Sequence, residues 1–428
     1  MARPICLFRT LSLGLTALLL SGSALAADPP SWYLGFRTTS YAYQRQAPGA
    51  EATDEISSWQ HFSGTATRLA DGRLTVRGSG RFTRGVPEDT WGLEKSKLYS
   101  GHLEARFGPA VKARLGRQWL TSGAANLTLD GAHLAYQAGS KLELTAWGGA
   151  RTPYTYGYEV GRLDNTAAAG GRVSYSPRRG VKVGLSAAYL EDRGAIAERP
   201  VALELSTTLI RNVRAFGRAS YDLEQDRLAR LDLQGQWRGR SGGPVVGLQY
   251  IDRHPSIAAN SWFARFGDLA RIRLLRGTAR YEWPSLYGGE FEYLGSFTDG
   301  RTANRFGLAL LAPFGRVGYS LRVGDVGDEN SLYGEVFHQV WPWLRVDAQA
   351  TLLTYALVAD APAADERDLI TFSAGLKADL RPGARLSLAV QSLENPFYNK
   401  DVRFLMGLDL AMARGSSRLG LDRGGWLR

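Results

Sequence analysis

The feature that most constrains this chain is an alternation of apolar and polar side chains with a period of two, which recurs from about residue 32 to 413. In the stretch that begins at Tyr99, YSGHLEARF, every second residue is apolar, aromatic or small, and the residues between them are polar. Successive side chains of a β-strand point to opposite faces, so the pattern predicts strands with one apolar and one polar face. No convincing helical period accompanies it after the N-terminal segment. The sequence therefore predicts an all-β protein.

The segment lengths and joints predict how these strands are arranged. Each segment is about 10–13 residues long, enough for a tilted strand to cross the hydrocarbon layer of a membrane. Short turn-rich joints, for example at Gly108-Pro109, alternate with longer polar connections, a layout typical of transmembrane barrels. An unpaired strand edge is not tolerated in lipid, so we expect a single closed, antiparallel, up-and-down β-barrel of about 22 strands (20–24). The longer connections lie at about 45–55, 85–96, 150–165, 252–267 and 357–368.

The first 26 residues have the three parts of an export signal. Arg3 and Arg9 form a basic start, an apolar run extends from Leu11 to Leu20, and small residues up to Ala26 form a cleavage site. A short N-terminal membrane anchor is the alternative. We predict a cleaved signal peptide at 1–26, an outer-membrane barrel at 27–413 and a C-terminal tail or closing segment at 414–428. The strands begin near Trp32, so no plug domain is expected.

Composition excludes several function classes. Cys6 lies in the signal, so the predicted mature chain has no cysteine and therefore no disulfide, cysteine zinc site, haem-attachment motif or thiol nucleophile. Loss of Arg3 and Arg9 takes the net charge from +11 to about +9. This basic charge is spread along strands and turns rather than gathered in a patch, so we expect no nucleic-acid partner.

Aromatic residues, 11% of the chain, stand at the ends of many predicted strands. Tyr and Trp rings combine an apolar body with a polar edge and favour the boundary between lipid and water. The predicted interface aromatics are Tyr99, Phe107, Tyr175, Trp237, Trp283, Trp341 and Trp343.

If the apolar set faces lipid, the alternate set faces the lumen, because a charge on the lipid face costs about 2–4 kcal/mol near the midplane. Basic residues outnumber acidic ones in this set by about three to two. Opposite charges pair across neighbouring strands and brace the wall in one interpretation, and the positive excess favours anions in a water-filled pore in the other. The predicted lumen-lining residues are Arg77, Arg81, Glu104, Arg106, Arg114, Arg214, Arg218, Arg276, Arg280, Glu290, Glu292, Arg322, Arg345 and Asp347.

Catalytic and ligand-binding motifs are weak. His102 lies beside Glu104, and Asp130 precedes His133 by three residues, a spacing that puts two strand side chains on opposite faces. The Gly78-Ser79-Gly80 motif has no helix after it, so the phosphate-binding interpretation fails. We therefore predict no catalytic residue, no cofactor, no metal site and no enzymatic activity.

The signal, the amphipathic strands with aromatic ends and the joint pattern together resemble the porin-like outer-membrane β-barrels of Gram-negative bacteria. The resemblance is architectural and covers nearly the whole mature chain. Such barrels usually end on a strand whose last residue is aromatic, but here about fifteen residues follow the last clear strand, Arg403 to Ala413. Either Trp426 carries that assembly signal, or Ser417 to Leu427 pairs as part of the closure.

The resemblance implies a location in the cell outer membrane and contact with its lipid. We expect a channel with a charged, net basic lumen that passes small or anionic solutes. The alternative is a barrel that sheaths a periplasmic or cytochrome partner, as in porin–cytochrome electron conduits. A lipid hydrolase or protease built on a barrel is a further alternative. Single-channel recording distinguishes a pore from a closed sheath.

Overall fold

The computed structural model describes residues 30–46, 49, 51–86, 96–152, 157–208, 210–240, 242–254, 270–284, 286–298, 300–356, 367–395 and 398–414. The predicted signal peptide and the Ser417 to Leu427 segment lie outside the described residues. Within them, no helix is long and apolar enough to cross a membrane.

The described residues form 23 strand segments in one sheet, a turn at Leu69–Gly72 in which Ala70 and Asp71 have positive φ, and a single-turn helical segment, α1 (Leu163–Thr166). The first strands are β1 (Ser31–Gln46), β2 (Thr53–Arg68), β3 (Leu74–Val86), β4 (Ser96–Phe107), β5 (Val111–Ser122), β6 (Ala125–Ala138), β7 (Leu142–Arg151) and β8 (Ala167–Tyr175). Next come β9 (Val181–Asp192), β10 (Ala195–Glu198), β11 (Pro200–Thr207), β12 (Val213–Asp222), β13 (Arg227–Arg238), β14 (Val245–Arg253), β15 (Ile272–Glu282) and β16 (Gly288–Thr298). The last are β17 (Arg301–Ala312), β18 (Gly315–Gly324), β19 (Glu329–Trp341), β20 (Leu344–Tyr355), β21 (Arg367–Arg381), β22 (Ala384–Asn395) and β23 (Tyr398–Arg414).

The sheet is a closed barrel. β10 and β11 both pair with β9 and occupy one place in the wall, which therefore has 22 strands, all antiparallel to their neighbours. β1 pairs with β23 from Trp32 opposite Arg414 to Gln46 opposite Lys400, and this pairing leaves no free edge. The predicted all-β, 22-strand antiparallel barrel is confirmed. The last strand is longer than the predicted Arg403 to Ala413, and its pairing with β1 closes the wall.

The register sets the dimensions of the wall. When paired residues are followed once around the barrel, the path returns to β1 displaced by about 24 residues, which for 22 strands corresponds to a strand tilt of about 40°. The same stagger gives a backbone diameter of about 40 Å. Such a barrel is far too wide for its own side chains to fill.

The connections differ between the two ends of the barrel. The predicted short joints lie at the end that also carries the start of β1 and the end of β23, which we call the short-turn end. The longer connections lie at the opposite end. There, tight connections that the sequence pattern did not mark, such as Gly123-Ala124 and Arg193-Gly194, also occur.

The two faces of the wall differ in chemistry. One face carries exposed aliphatic and aromatic side chains on strands all around the barrel, among them Phe36, Leu115, Leu233 and Leu308. The other face carries Arg, Lys, Asp and Glu in ion pairs between neighbouring strands. Paired residues share a face of the sheet, so the register transfers a face assignment from strand to strand.

Candidate functional site

The end of the β5–β6 hairpin identifies the inner face. The backbone N–H of Ala124 donates to Oγ of Ser186 on β9 at 2.8 Å, and the Arg218 guanidinium on β12 donates to the carbonyl of Gly123. Because several strands separate β6 from β12 along the wall, a contact between them must run across the concave, inner side of the sheet. The residues from Arg117 to Asp130, here called the inner hairpin, therefore turn into the lumen, and Ser186 and Arg218 lie on the inner face.

Three glycines mark the line along which the inner hairpin leaves the wall. Gly116 is paired with Gly131, and Gly131 with Gly149, so the three stand side by side on β5, β6 and β7. A Cβ on Gly131 would meet the Gly148 carbonyl and lie 2.7 Å from Cα of Gly149. Gly116 has a φ of +118° and Gly149 a φ of +158°. Side chains are excluded along this glycine line, where the backbones bend close together.

An apolar cluster holds the inner hairpin against the wall. Leu120, Leu127 and Leu129 of the hairpin pack with Trp147 and Leu190 on the inner faces of β7 and β9. Leu129 is 0% exposed. A lumen of this width would otherwise expose these side chains to water, and burying each contributes about 1.5–3 kcal/mol to docking.

A polar clamp covers the other side of the inner hairpin. Nε and Nη2 of Arg117 donate to the two carboxylate oxygens of Asp130 at 2.7 and 2.8 Å. Arg117 also donates to the carbonyls of Leu98 (3.1 Å), Gly157 (3.2 Å) and Glu159, and Asp130 accepts from the backbone N–H of Gly161 at 2.9 Å. The connection between β7 and β8 is thus fastened over the hairpin. Both charges are buried, so loss of one partner leaves the other uncompensated, at about 3–5 kcal/mol.

Because paired residues share a face, the strand pairings identify the inner-face residues all around the barrel, starting from Ser186 and Arg218. All the predicted lumen-lining residues fall on it: Arg77, Arg81, Glu104, Arg106, Arg114, Arg214, Arg218, Arg276, Arg280, Glu290, Glu292, Arg322, Arg345 and Asp347. The wall spreads them around the circumference and does not bring them together at one point.

Beneath the inner hairpin, the inner face carries a ladder of alternating charge. Nη2 of Arg172 on β8 lies 2.5 Å from Oε2 of Glu204 on β11, and Glu204 stands opposite Arg218 in the register. The intervening strand β9 has Gly184 at this height, where a Cβ would lie 3.0 Å from Nη2 of Arg172. Arg218 in turn stands opposite Asp232, which accepts from Arg230 at 2.9 Å. The carboxylates of this ladder flank Arg218, whose guanidinium fixes the hairpin tip.

Several other predicted lumen residues are in cross-strand ion pairs. Arg276 and Arg305 both pair with Glu292, the second at 3.1 Å, and Glu104 accepts from Arg114 at 2.9 Å. The pairs of Glu292 are partly exposed, and each contributes about 0–1 kcal/mol, whereas the Glu104 carboxylate is buried among its cationic partners. Further contacts of the predicted set are Glu104 with Arg106 and Lys112, Arg280 with Glu282 and Glu290, Arg322 with Glu329, and Asp347 with Lys377.

A second group of inner-face cations has no carboxylate partner in the described part of the chain. Arg77 and Arg81 on β3 and Arg214 on β12 belong to it, whereas Arg345 stacks over the Phe337 ring at 4.1 Å. The Arg77 charge is partly offset by the nearby Glu104 carboxylate, whereas Arg81 and Arg214 keep their charges available to ions in the lumen. Arg238 on β13 has the same inner-face parity and likewise no carboxylate partner among the described residues, so this unpaired charge is not confined to β3 and β12.

The predicted interface aromatics lie in three kinds of place. Phe107, Tyr175 and Trp237 are exposed on the outer face beside short turns. Trp283, Trp341 and Trp343 lie at short turns, the last two stacked with ring centroids 5.4 Å apart. Tyr99 stands at a β-bulge, and its ring stacks on inner-face His61 at 6.4 Å. The bulge adds one residue to β4, which reverses the side to which the ring points.

Sequence reasoning missed an aromatic strip on the inner face of β1 and β2. Tyr41 lies 5.4 Å from Tyr43 and 6.4 Å from Trp59, and Arg45 stands over the Tyr43 ring. The register signal was present, because all four positions have the parity of Arg37, which pairs with Asp409. Among the described residues, no group of three or more His, Cys, Asp or Glu is arranged to hold a metal ion.

No protein-family model matches the chain, and no curated protein matches it by sequence. Solved structures similar to it include the translocation pore of the P pilus usher PapC, with 10% identity, a TM-score of 0.46, and coverage of 90% of this chain and 100% of that one. OpdO of Pseudomonas aeruginosa has 13% identity, a TM-score of 0.39 and coverage of 89% and 97%. OccAB1 of Acinetobacter baumannii has 11% identity, a TM-score of 0.42 and coverage of 92% and 99%. The closed wall, the apolar outer face and the charged inner face give this chain the architecture of a porin-like outer-membrane β-barrel.

Proposed function

We propose that the protein is an outer-membrane channel whose lumen is narrowed by the inner hairpin and biased toward small anionic solutes. The single observation that carries the proposal is the tip of that hairpin at Ser186 and Arg218, on the far side of several intervening strands. A segment docked there on the inner wall reduces the cross-section of the lumen, as a selective pore requires.

The distribution of polarity supports a water-filled path. Charged side chains on the inner face, such as Arg276 and Glu292, are only partly buried, which fits hydration from the lumen. The outer face carries large apolar side chains of the kind that contact lipid. The physical function is then to provide a polar path through an apolar barrier, and no turnover chemistry is part of the proposal.

The anion preference rests on charges that are not neutralised. Paired residues such as Arg276 and Glu292 cancel at a distance, whereas Arg77, Arg81 and Arg214 have no carboxylate partner in the described chain. Their field raises the local concentration of anions in the narrowed lumen. The inner hairpin also occupies space that a sheathed protein partner would need, so the channel accounts for the geometry better than the sheath.

Recording from the purified full-length protein in a planar bilayer tests the proposal. We expect stable single-channel steps and, in a salt gradient, a reversal potential of anion-selective sign. The triple variant Arg77→Glu, Arg81→Glu and Arg214→Glu should shift the reversal potential toward cation selectivity.

The matched control exchanges an ion pair, Asp347→Lys with Lys377→Asp, which keeps the net charge of the lumen and should leave the selectivity unchanged. Absence of conductance in a correctly folded, heat-modifiable barrel would refute the channel. Equal shifts in the triple variant and the control would refute the role of the unpaired cations.

A further inference from the structure

A basic recess opens on the inner face at the short-turn end of the barrel. Its volume is about 810 Å³, and it lies between the β6–β7 and β8–β9 turns and the adjoining ends of β11, β12 and β13. It is separate from the inner hairpin, which stands at the opposite end of the same strands. The cationic lining residues are Lys141, Arg178, Arg179, Lys182 and Arg214.

Most of this positive charge is uncompensated. Lys182 pairs with Glu143 at 3.2 Å. Within the described residues, Lys141, Arg178, Arg179 and Arg214 have no carboxylate partner. Four cations around one recess repel one another, and a bound anion would relieve that repulsion.

Uncharged donors and a ring complete the lining. Gln234 and Gln236 on β13 and Ser206 on β11 add amide and hydroxyl groups, and Phe216 adds an apolar surface. Guanidinium groups bind carboxylate and phosphate oxygens through two parallel hydrogen bonds, and amides can satisfy the remaining oxygens. The set therefore suits a ligand with several anionic oxygens rather than a halide ion.

The turn that carries Arg178 and Arg179 is fixed on both sides. The N–H of Ser176 donates to the carbonyl of Lys141 at 2.8 Å, and the N–H of Thr208 donates to the carbonyl of Gly180 at 2.7 Å. Gly180 has a φ of +84°, which favours glycine. Because the turn is tied to both neighbouring strands, the backbone that carries the two arginines is held at the edge of the recess.

The recess faces a solute and not the membrane. Arg214, Gln234 and Gln236 have the inner-face parity, whereas Tyr175 and Trp237 stand on the outer face at the same height. A lipid headgroup in the bilayer would therefore meet the opposite side of the wall.

We propose that this recess is a binding site for multiply charged solutes that carry phosphate or carboxylate groups, placed at the short-turn mouth of the pore. The proposal deepens the proposed function and rests on it only for the route by which the ligand arrives. Binding itself requires the folded barrel and no conduction.

Isothermal titration of the detergent-solubilised full-length protein tests the site, with inorganic pyrophosphate and citrate as probes and chloride as the comparison anion. We expect saturable binding of one or both polyanions and none of chloride. The double variant Arg178→Gln with Arg179→Gln should weaken binding at least tenfold, and Arg214→Gln should also weaken it.

The control is Arg381→Gln, which removes a cation from another short turn and should bind as the unaltered protein does. Pyrophosphate binding without citrate binding would assign the site to phosphate, and the reverse to carboxylate. Absence of saturable binding of both probes, or equal weakening by the control, would overturn the proposal. Because titration measures no current, a conducting protein without binding refutes the site alone, and a binding protein without conductance refutes the channel alone.

Discussion

Replacement of Leu129 by Ala tests whether the inner hairpin is docked as a unit on the wall. Leu129 is fully buried between the hairpin and the inner face, in contact with the cluster that contains Trp147 and Leu190. A Leu→Ala change in such a site costs about 2–5 kcal/mol, because it removes apolar contact and leaves a cavity. At about 1.4 kcal/mol per tenfold change, the equilibrium constant for undocking should rise by about 30- to 4,000-fold.

Hydrogen exchange measures that change directly. The amide of Ala124 is bonded to Ser186, and the amide of Thr152 is bonded to the carbonyl of Thr128 at 2.9 Å, so both lose their partner when the hairpin leaves the wall. Their exchange should accelerate by the factor given above. Amides of β15 to β18 lie in the opposite part of the wall and should be unaffected.

The matched control is Leu134→Ala on the same strand. Leu134 lies beyond the glycine line on the outer face and is 48% exposed, so the hairpin does not depend on it. The reasoning is refuted if Leu129→Ala leaves the exchange of Ala124 and Thr152 unchanged, or if Leu134→Ala accelerates it equally.

Three further predictions concern the inner hairpin, the glycine line and the aromatic residues at the membrane interface. In Gly123→Cys with Ser186→Cys, the two Cβ atoms would start 2.8 Å apart, and an outward shift of the tip by about 1 Å brings them to the roughly 3.5–4.5 Å of a disulfide. Mild oxidation should then form the bond, seen as a gel shift that reductant reverses, and failure to cross-link would contradict the position of the tip. Gly131→Val should prevent assembly because its Cβ meets the β7 backbone, whereas Gly277→Ala, with nothing within 4 Å, should yield normal amounts of heat-modifiable barrel. Removal of the stacked pair in Trp341→Ala with Trp343→Ala should lower the temperature at which the barrel changes gel mobility, and an unchanged temperature would count against an interfacial role for these rings.

The architecture of the wall could be predicted from the sequence because each strand carries its own information. Alternation assigns two faces within a segment such as β17, and the turn residues mark where it ends. Closure follows from the penalty for a free edge in lipid. Cross-strand partners could not be predicted this way. The pairing of Arg276 and Arg305 with Glu292 depends on the register of three strands, which turn residues alone do not determine.

The inner hairpin was missed, although two signals of it are present in the sequence. Along β6, the apolar set is even-numbered at Leu134 and Tyr136 and odd-numbered at Leu127 and Leu129, and the change of phase falls at Gly131. A strand that stayed in the wall would keep one phase, since a slip by one residue moves every side chain to the other face.

The second signal is a charged pair at positions whose parity assigns them to lipid. Arg117 and Asp130 stand opposite each other in the register and have the parity of Leu115 and Leu134, both exposed on the outer face. Two charges there would each cost a few kcal/mol in the hydrocarbon layer, which exceeds the stabilisation that an exposed ion pair contributes. The conflict disappears if both strands have left the wall, since the former lipid side is then free to receive polar cover. A change of apolar phase at a glycine, next to charged residues at positions whose parity predicts lipid contact, therefore indicates a hairpin that turns inward. Here both signals occur in β5 and β6.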